Sequence, residues 1–109
     1  MAARGNETAR TRVFDLIRGY AWPPIYPGRA IRNGFMERWH GRESDLADAV
    51  ETERAAYQAA ARDGDYDTAV VWAGEVVDLI KSVESASALV ARISAEAEAQ
   101  LRAGAKLAR

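Results

Sequence analysis

The sequence contains no cysteine. That excludes structural disulfides, thiolate metal sites and cysteine nucleophiles. It has a single histidine, His40, so a zinc site built from three or four nitrogen or sulfur ligands is also excluded. The large apolar residues are few, with two Phe, three Trp and four Tyr, and much of the 49% hydrophobic fraction is alanine. Alanine buries little area, so a chain of this length is expected to form one domain with a thin core that leans on a partner surface. No apolar run follows Met1, so no signal peptide is expected. No stretch approaches the ~18 apolar residues of a membrane-spanning helix. Together these points fit a cytoplasmic location. No G-x-G-x-x-G, P-loop or G-x-S-x-G motif is present.

Charge is nearly balanced overall, at −1, but it is divided along the chain. Residues 1–42 carry eight arginines against Glu7, Asp15 and Glu37, whereas residues 43–109 carry seven basic and thirteen acidic side chains. The two halves are expected either to attract each other across an internal seam or to present surfaces to different partners. The arginines are scattered, not set in a stripe, which argues against a nucleic-acid interface.

Residues 1–10 are small and polar and are expected to fray. Residues 11–19, TRVFDLIRG, read as an extended start with a turn of helix. In residues 20–28, YAWPPIYPG, Pro23 and Pro24 remove two backbone donors and Pro27-Gly28 signals a turn. Tyr20, Trp22 and Tyr26 in that loop imply a surface, internal or external, on which they pack.

A helix is expected over about residues 29–40, with Ile31, Phe35 and Trp39 on one face and Gly41 as its stop. A second is expected over about 44–62, with Ser44 as N-cap and an inner stripe of Leu46, Val50, Tyr57 and Ala61 that Glu53 interrupts. Asp63-Gly64-Asp65 separates it from a third helix over about 66–81. There Val70, Val71, Ala73, Val76, Val77, Leu79 and Ile80 cover most of the circumference, as in a helix buried on more than one side. A fourth is expected over about 85–103, capped by Ser85, closed by Gly104 and packed along a stripe of Leu89, Val90, Ile93, Ala97 and Leu101. The fold class is therefore mostly α. A basic, loop-rich segment 1–42 with one helix precedes an antiparallel helical unit over 43–109.

Candidates for chemistry are sparse. His40 is a general base or a helix-terminal histidine favoured by the dipole. The alternating acids of Asp63-Gly64-Asp65-Tyr66-Asp67 resemble the start of a calcium loop. Gly74, however, stands where the distal glutamate belongs, so the acids read as helix caps. Glu37 and Glu43 could pair as carboxylates. Arg29 and Arg32, after Gly28 at an expected helix start, could hold a phosphate or nitro group, or form salt bridges to the acidic half.

Three stretches together carry a resemblance. They are Thr11-Arg12-Val13-Phe14-Asp15 with Arg18-Gly19 and Trp22-Pro23, then Pro27-Gly28-Arg29-Ala30-Ile31-Arg32-Asn33 with Phe35, and last Val71-Trp72-Ala73-Gly74-Glu75-Val76-Val77-Asp78-Leu79-Ile80. In order and spacing, over about residues 8–103, they resemble the C-terminal region of the nitronate monooxygenases, the 2-nitropropane dioxygenase family. Glu75 stands where many members carry glutamine.

The resemblance implies a mostly helical region added to an FMN-binding (β/α)8 barrel, over the mouth of its active site. Such enzymes oxidise alkyl nitronates with dioxygen to a carbonyl compound and nitrite through one-electron flavin chemistry. The family's catalytic histidine and phosphate-binding loops lie in the barrel; His40 does not match that histidine. By the resemblance, this chain lacks the barrel, binds no FMN alone, and turns Arg29, Asn33, Trp72 and Gly74 toward the flavin site. Its partner would be a flavin-binding barrel domain or chain. Read without the resemblance, the chain is a stand-alone helical interaction module that self-associates.

Overall fold

A computed structural model describes residues 5–108. The chain runs through a short 3-10 turn (Gly5–Glu7), β1 (Thr8–Thr11), α1 (Val13–Arg18), β2 (Gly28–Ile31), α2 (Gly34–Trp39) and α3 (Glu43–Asp63). A second 3-10 turn (Glu75–Leu79) then leads to α4 (Ala86–Ala105). The fold is mostly helical, with one two-stranded antiparallel sheet. The fraying expected for residues 1–10 lies partly outside the described residues. From Gly5 onward it is replaced by the 3-10 turn and by β1, whose backbone is held by pairing with β2 in the register Thr8↔Ile31 to Thr11↔Gly28.

The core forms where α1 and α2 pack on α3. Val13, Phe14 and Ile17 of α1 meet Phe35, Met36 and Trp39 of α2 and Leu46 and Tyr57 of α3. Phe14 stacks on Phe35 with ring centroids 5.7 Å apart, and Tyr57 meets Phe35 edge-on at 5.1 Å. Burying each large apolar side chain here contributes about 1.5–3 kcal/mol. Both charge halves supply this core, so α3 of the second half packs with α1 and α2 of the first as one unit. Arg38–Glu53 and Arg29–Glu75 ion pairs also join them.

Two expected helices are corrected. The expected helix over 29–40 is a strand followed by a six-residue helix, α2. Asn33 divides them: its extended backbone ends the strand, and its side-chain oxygen caps α2 by accepting from Met36 N at 3.0 Å. No helix forms over 66–81. Residues 65–68 make a turn, in which the Asp65 carboxylate accepts from Asp67 N and the Thr68 hydroxyl. Residues 70–73 then run extended beside β2. Ile31 N donates to Val71 O at 2.9 Å, Ala73 N donates to Arg29 O at 3.2 Å, and Ala30 and Trp72 form an antiparallel bridge. The pair Val70-Val71 is β-branched and suits this pleated edge better than a helix. Beyond Gly74 the valines lie on a 3-10 turn, with Val76 and Leu79 exposed.

α3 begins at Glu43, one residue before the expected N-cap Ser44. Its last turn is closed by Gly64 at φ +72°, whose N–H reaches the carbonyls of Ala60 and Ala61. Positive φ suits glycine because a Cβ would crowd the carbonyl there. The expected inner stripe holds at Leu46 and Tyr57, whereas Ala61 is exposed. Glu53, which interrupts the stripe, sits at its edge and pairs with Arg38.

α4 has the expected N-cap: Ser85 Oγ accepts from Ala88 N at 3.2 Å. It runs through Gly104 to Ala105 instead of stopping at Gly104. No residue of α4 is buried, and Leu89, Val90, Ile93 and Leu101 are exposed. The molecule is accordingly elongated, 62 × 31 × 22 Å. The antiparallel packing expected for this helix is absent. The stripe exists, but no element of the described chain covers it. Among the described residues no helix is long and apolar enough to cross a membrane.

Candidate functional site

A concavity lies between the sheet and the loop that joins α1 to β2. It is an open groove of about 500 Å³. Its floor is Gly28 and Trp72. A Cβ at Gly28 would fall 2.5 Å from Trp72 Cζ3, so the indole lies directly on the glycine backbone. Behind it, Phe14 meets the Trp72 ring edge-on at 5.9 Å and holds it in place. Trp22 and Tyr26 from the loop form a second wall, half-exposed, and Trp22 Nε1 donates to the Tyr26 carbonyl. That bond closes the proline-containing loop on itself.

Charge enters from the strands. Arg10 and Arg29 are directly opposite each other in the β1–β2 register, and both line the groove. Arg29 Nη2 pairs with Glu75 at 2.7 Å, and Nη1 donates to Thr8 Oγ1 at 3.2 Å. Arg10 Nη1 donates to the Pro27 carbonyl at 3.3 Å, and Arg10 has no ion pair among the described residues. Asp15, at the start of α1, supplies a carboxyl group. Partial burial pushes its pKa up from the ordinary value, opposed by the positive charges of Arg18 and Arg12.

Of the four residues expected to share one surface, the structure brings three together: Arg29, Trp72 and Gly74 line the groove. A Cβ at Gly74 would meet nothing within 4 Å, so no close approach within this chain requires a glycine there. Asn33 is elsewhere. Its amide nitrogen donates to the carbonyls of Tyr66 at 3.1 Å and Ala69 at 2.9 Å while its oxygen caps α2. Each of its polar atoms is engaged in fastening the 65–69 turn to α2. The anion site expected at the start of a helix near Arg29 and Arg32 is corrected as well. Gly28–Ile31 is a strand, so no helix N-terminus lies there, and Arg32 pairs with Glu37 at 2.9 Å.

The other candidates resolve into structural roles. His40 lies just past the end of α2, with Nδ1 3.2 Å from the Thr11 hydroxyl and 3.8 Å from Glu43. Glu43 also accepts from Gly41 N, so Glu37 and Glu43 are engaged separately. Asp67 caps α2 from outside, accepting from Gly34 N at 2.9 Å. Among the described residues no group of three potential metal ligands gathers.

Sequence reasoning missed Arg10 and Asp15. Their signal was weak: Arg10 is one arginine among several, and its place opposite Arg29 depends on strand register. The groove has no glycine-rich loop opening onto a helix N-terminus, the arrangement that cradles a nucleotide phosphate. Arg29, the more firmly held cation, is already engaged by Glu75. No protein-family model, curated protein or solved structure matches the chain.

Proposed function

We propose that this chain is the C-terminal, largely helical part of an FMN-dependent oxidoreductase resembling the nitronate monooxygenases, seated over the mouth of a flavin-binding barrel. The reading rests on the three stretches that resemble that family. The structural observation that supports it is the uncovered apolar stripe of α4. Leu79 and Ile80, also exposed, line one open concavity with Leu89 of that stripe. Contiguous exposed apolar surface of this kind marks interaction sites.

In this reading the barrel holds FMN, which supplies the electron chemistry of nitronate oxidation. This chain contributes shape and water exclusion. Trp72, held on Gly28, and Arg29, held by Glu75, would wall the approach to the reacting centre. Segments over the C-terminal face of a barrel perform that task in general. A cytoplasmic location belongs to the same proposal.

The test joins this chain, in place of the resident C-terminal region, to a nitronate monooxygenase barrel. Retained flavin absorbance near ~450 nm, in keeping with a protein site that holds its cofactor, and nitrite release from an alkyl nitronate support the reading. A folded chimera that loses flavin and releases no nitrite refutes it. The second reading, a self-associating helical module, draws on the same α4 stripe. Sedimentation of the chain over a range of concentrations separates the two, because a mass that stays monomeric throughout removes self-association.

A further inference from the structure

The groove described above combines features that a merely structural surface does not need. Arg10 and Arg29 stand directly opposite each other across β1 and β2. Like charges in that position destabilise a sheet. Glu75 neutralises Arg29 alone. Arg10 keeps its charge on the groove wall, with one hydrogen bond, to the Pro27 carbonyl. Around the two guanidiniums stand the rings of Trp22, Tyr26 and Trp72, each exposed by about half of its surface, at 57%, 61% and 44%. Trp72 rests on the Gly28 backbone and meets Phe14 edge-on, and Trp22 donates to the Tyr26 carbonyl, so the rings are already gathered on one face. Groups gathered before binding lower the ordering cost of taking a flat molecule. The groove is open, so a small flat molecule can lie against the rings with one face toward solvent.

We infer that this groove is a binding site for a small planar aromatic anion, with the rings of Trp22, Tyr26 and Trp72 taking the flat body and Arg10 its negative group. The Asp15 carboxylate on the same wall favours a single negative charge on the ligand over two. The residues that line the groove all belong to this chain, so binding is read on the chain without a barrel.

The probe is naphthalene-2-sulfonate, with uncharged 2-naphthol as its comparator, titrated into the full chain and followed by amide chemical shifts. The expected result is saturable binding with shifts at Trp22, Gly28, Trp72 and Ala73 and none along α4. Arg10→Gln weakens the sulfonate about tenfold, as loss of a charge-assisted hydrogen bond should, and leaves 2-naphthol unchanged. The same variant keeps or raises thermal stability, because it removes the like-charge pair. Trp22→Ala, in an exposed loop, weakens both probes. The proposal is overturned if the sulfonate does not saturate, if Arg10→Gln binds it as the parent chain does, or if the shifts fall on the α4 stripe.

Discussion

Asn33 fastens two parts of the chain that are remote in sequence, and its removal should cost more than loss of an ordinary surface amide. Asn33→Ala deletes the cap on α2, the bond from Met36 N at 3.0 Å. It also deletes both donated bonds, to Tyr66 O and Ala69 O. Loss of an N-cap costs about 1 kcal/mol. Each neutral hydrogen bond nets roughly 0.5–1.5 kcal/mol, and the exposed bond to Tyr66 belongs at the low end. The sum is about 2–3 kcal/mol, or roughly 10–20 °C in Tm for a domain of this size.

Asn33→Asp separates the contributions. Aspartate caps a helix as well as asparagine does, yet it has no N–H to offer the two carbonyls, so it should lose about 1–2 kcal/mol. Urea unfolding followed by circular dichroism reads both values as shifts in midpoint at constant slope. If Asn33→Ala unfolds within about 0.5 kcal/mol of the parent, the range of a neutral surface change, the fastening role is wrong. If Asp costs as much as Ala, repulsion between its carboxylate and the Tyr66 and Ala69 carbonyls offsets the cap that it keeps.

Other changes test other parts of the structure. Gly28→Ala places a methyl 2.5 Å from Trp72 Cζ3. The half-exposed ring can shift toward solvent, so a cost of about 1 kcal/mol, at the low end for overpacking, is expected in thermal unfolding, with weaker probe binding in the groove. Tyr57→Phe removes the hydroxyl that accepts from Val70 N at 3.1 Å. Leaving that partly buried N–H unpaired should cost about 1–3 kcal/mol in the same urea assay. Burial raises the pKa of Asp15 in the folded chain, so its ionisation above that pKa works against folding. Asp15→Asn should therefore stabilise the chain at neutral pH, and the gain should vanish as pH falls below the ordinary carboxylate range; an equal gain at every pH would refute this. Ile93→Ser on α4 should leave the unfolding midpoint of the isolated chain within about 0.5 kcal/mol, while lowering nitrite release by the barrel chimera.

What could be read from the sequence was what local chemistry decides. α3 and α4 follow from alanine-rich, periodic stretches because each helical hydrogen bond spans only four residues. Gly64, at φ +72°, and Ser85, bonded to Ala88 N, end and begin those helices with no help from elsewhere. The loop over 20–27 was likewise written in its prolines. The core residues Phe35, Trp39, Leu46 and Tyr57 stood out as apolar faces before any packing was known.

Tertiary structure decided the rest. Residues 28–31 and 70–73 are each too short for their apolar pattern to distinguish strand from helix. They are extended because each supplies the other's missing partners, Ile31 N to Val71 O and Ala73 N to Arg29 O. Asn33 became a fastener, not a site residue, because the 65–69 turn lies within reach of its amide. Arg10 faces Arg29, and so marks the groove, only through a strand register that joins positions 19 residues apart. A helix closes its hydrogen bonds within its own turns, whereas a strand or a groove takes its identity from whichever distant segment the fold brings beside it.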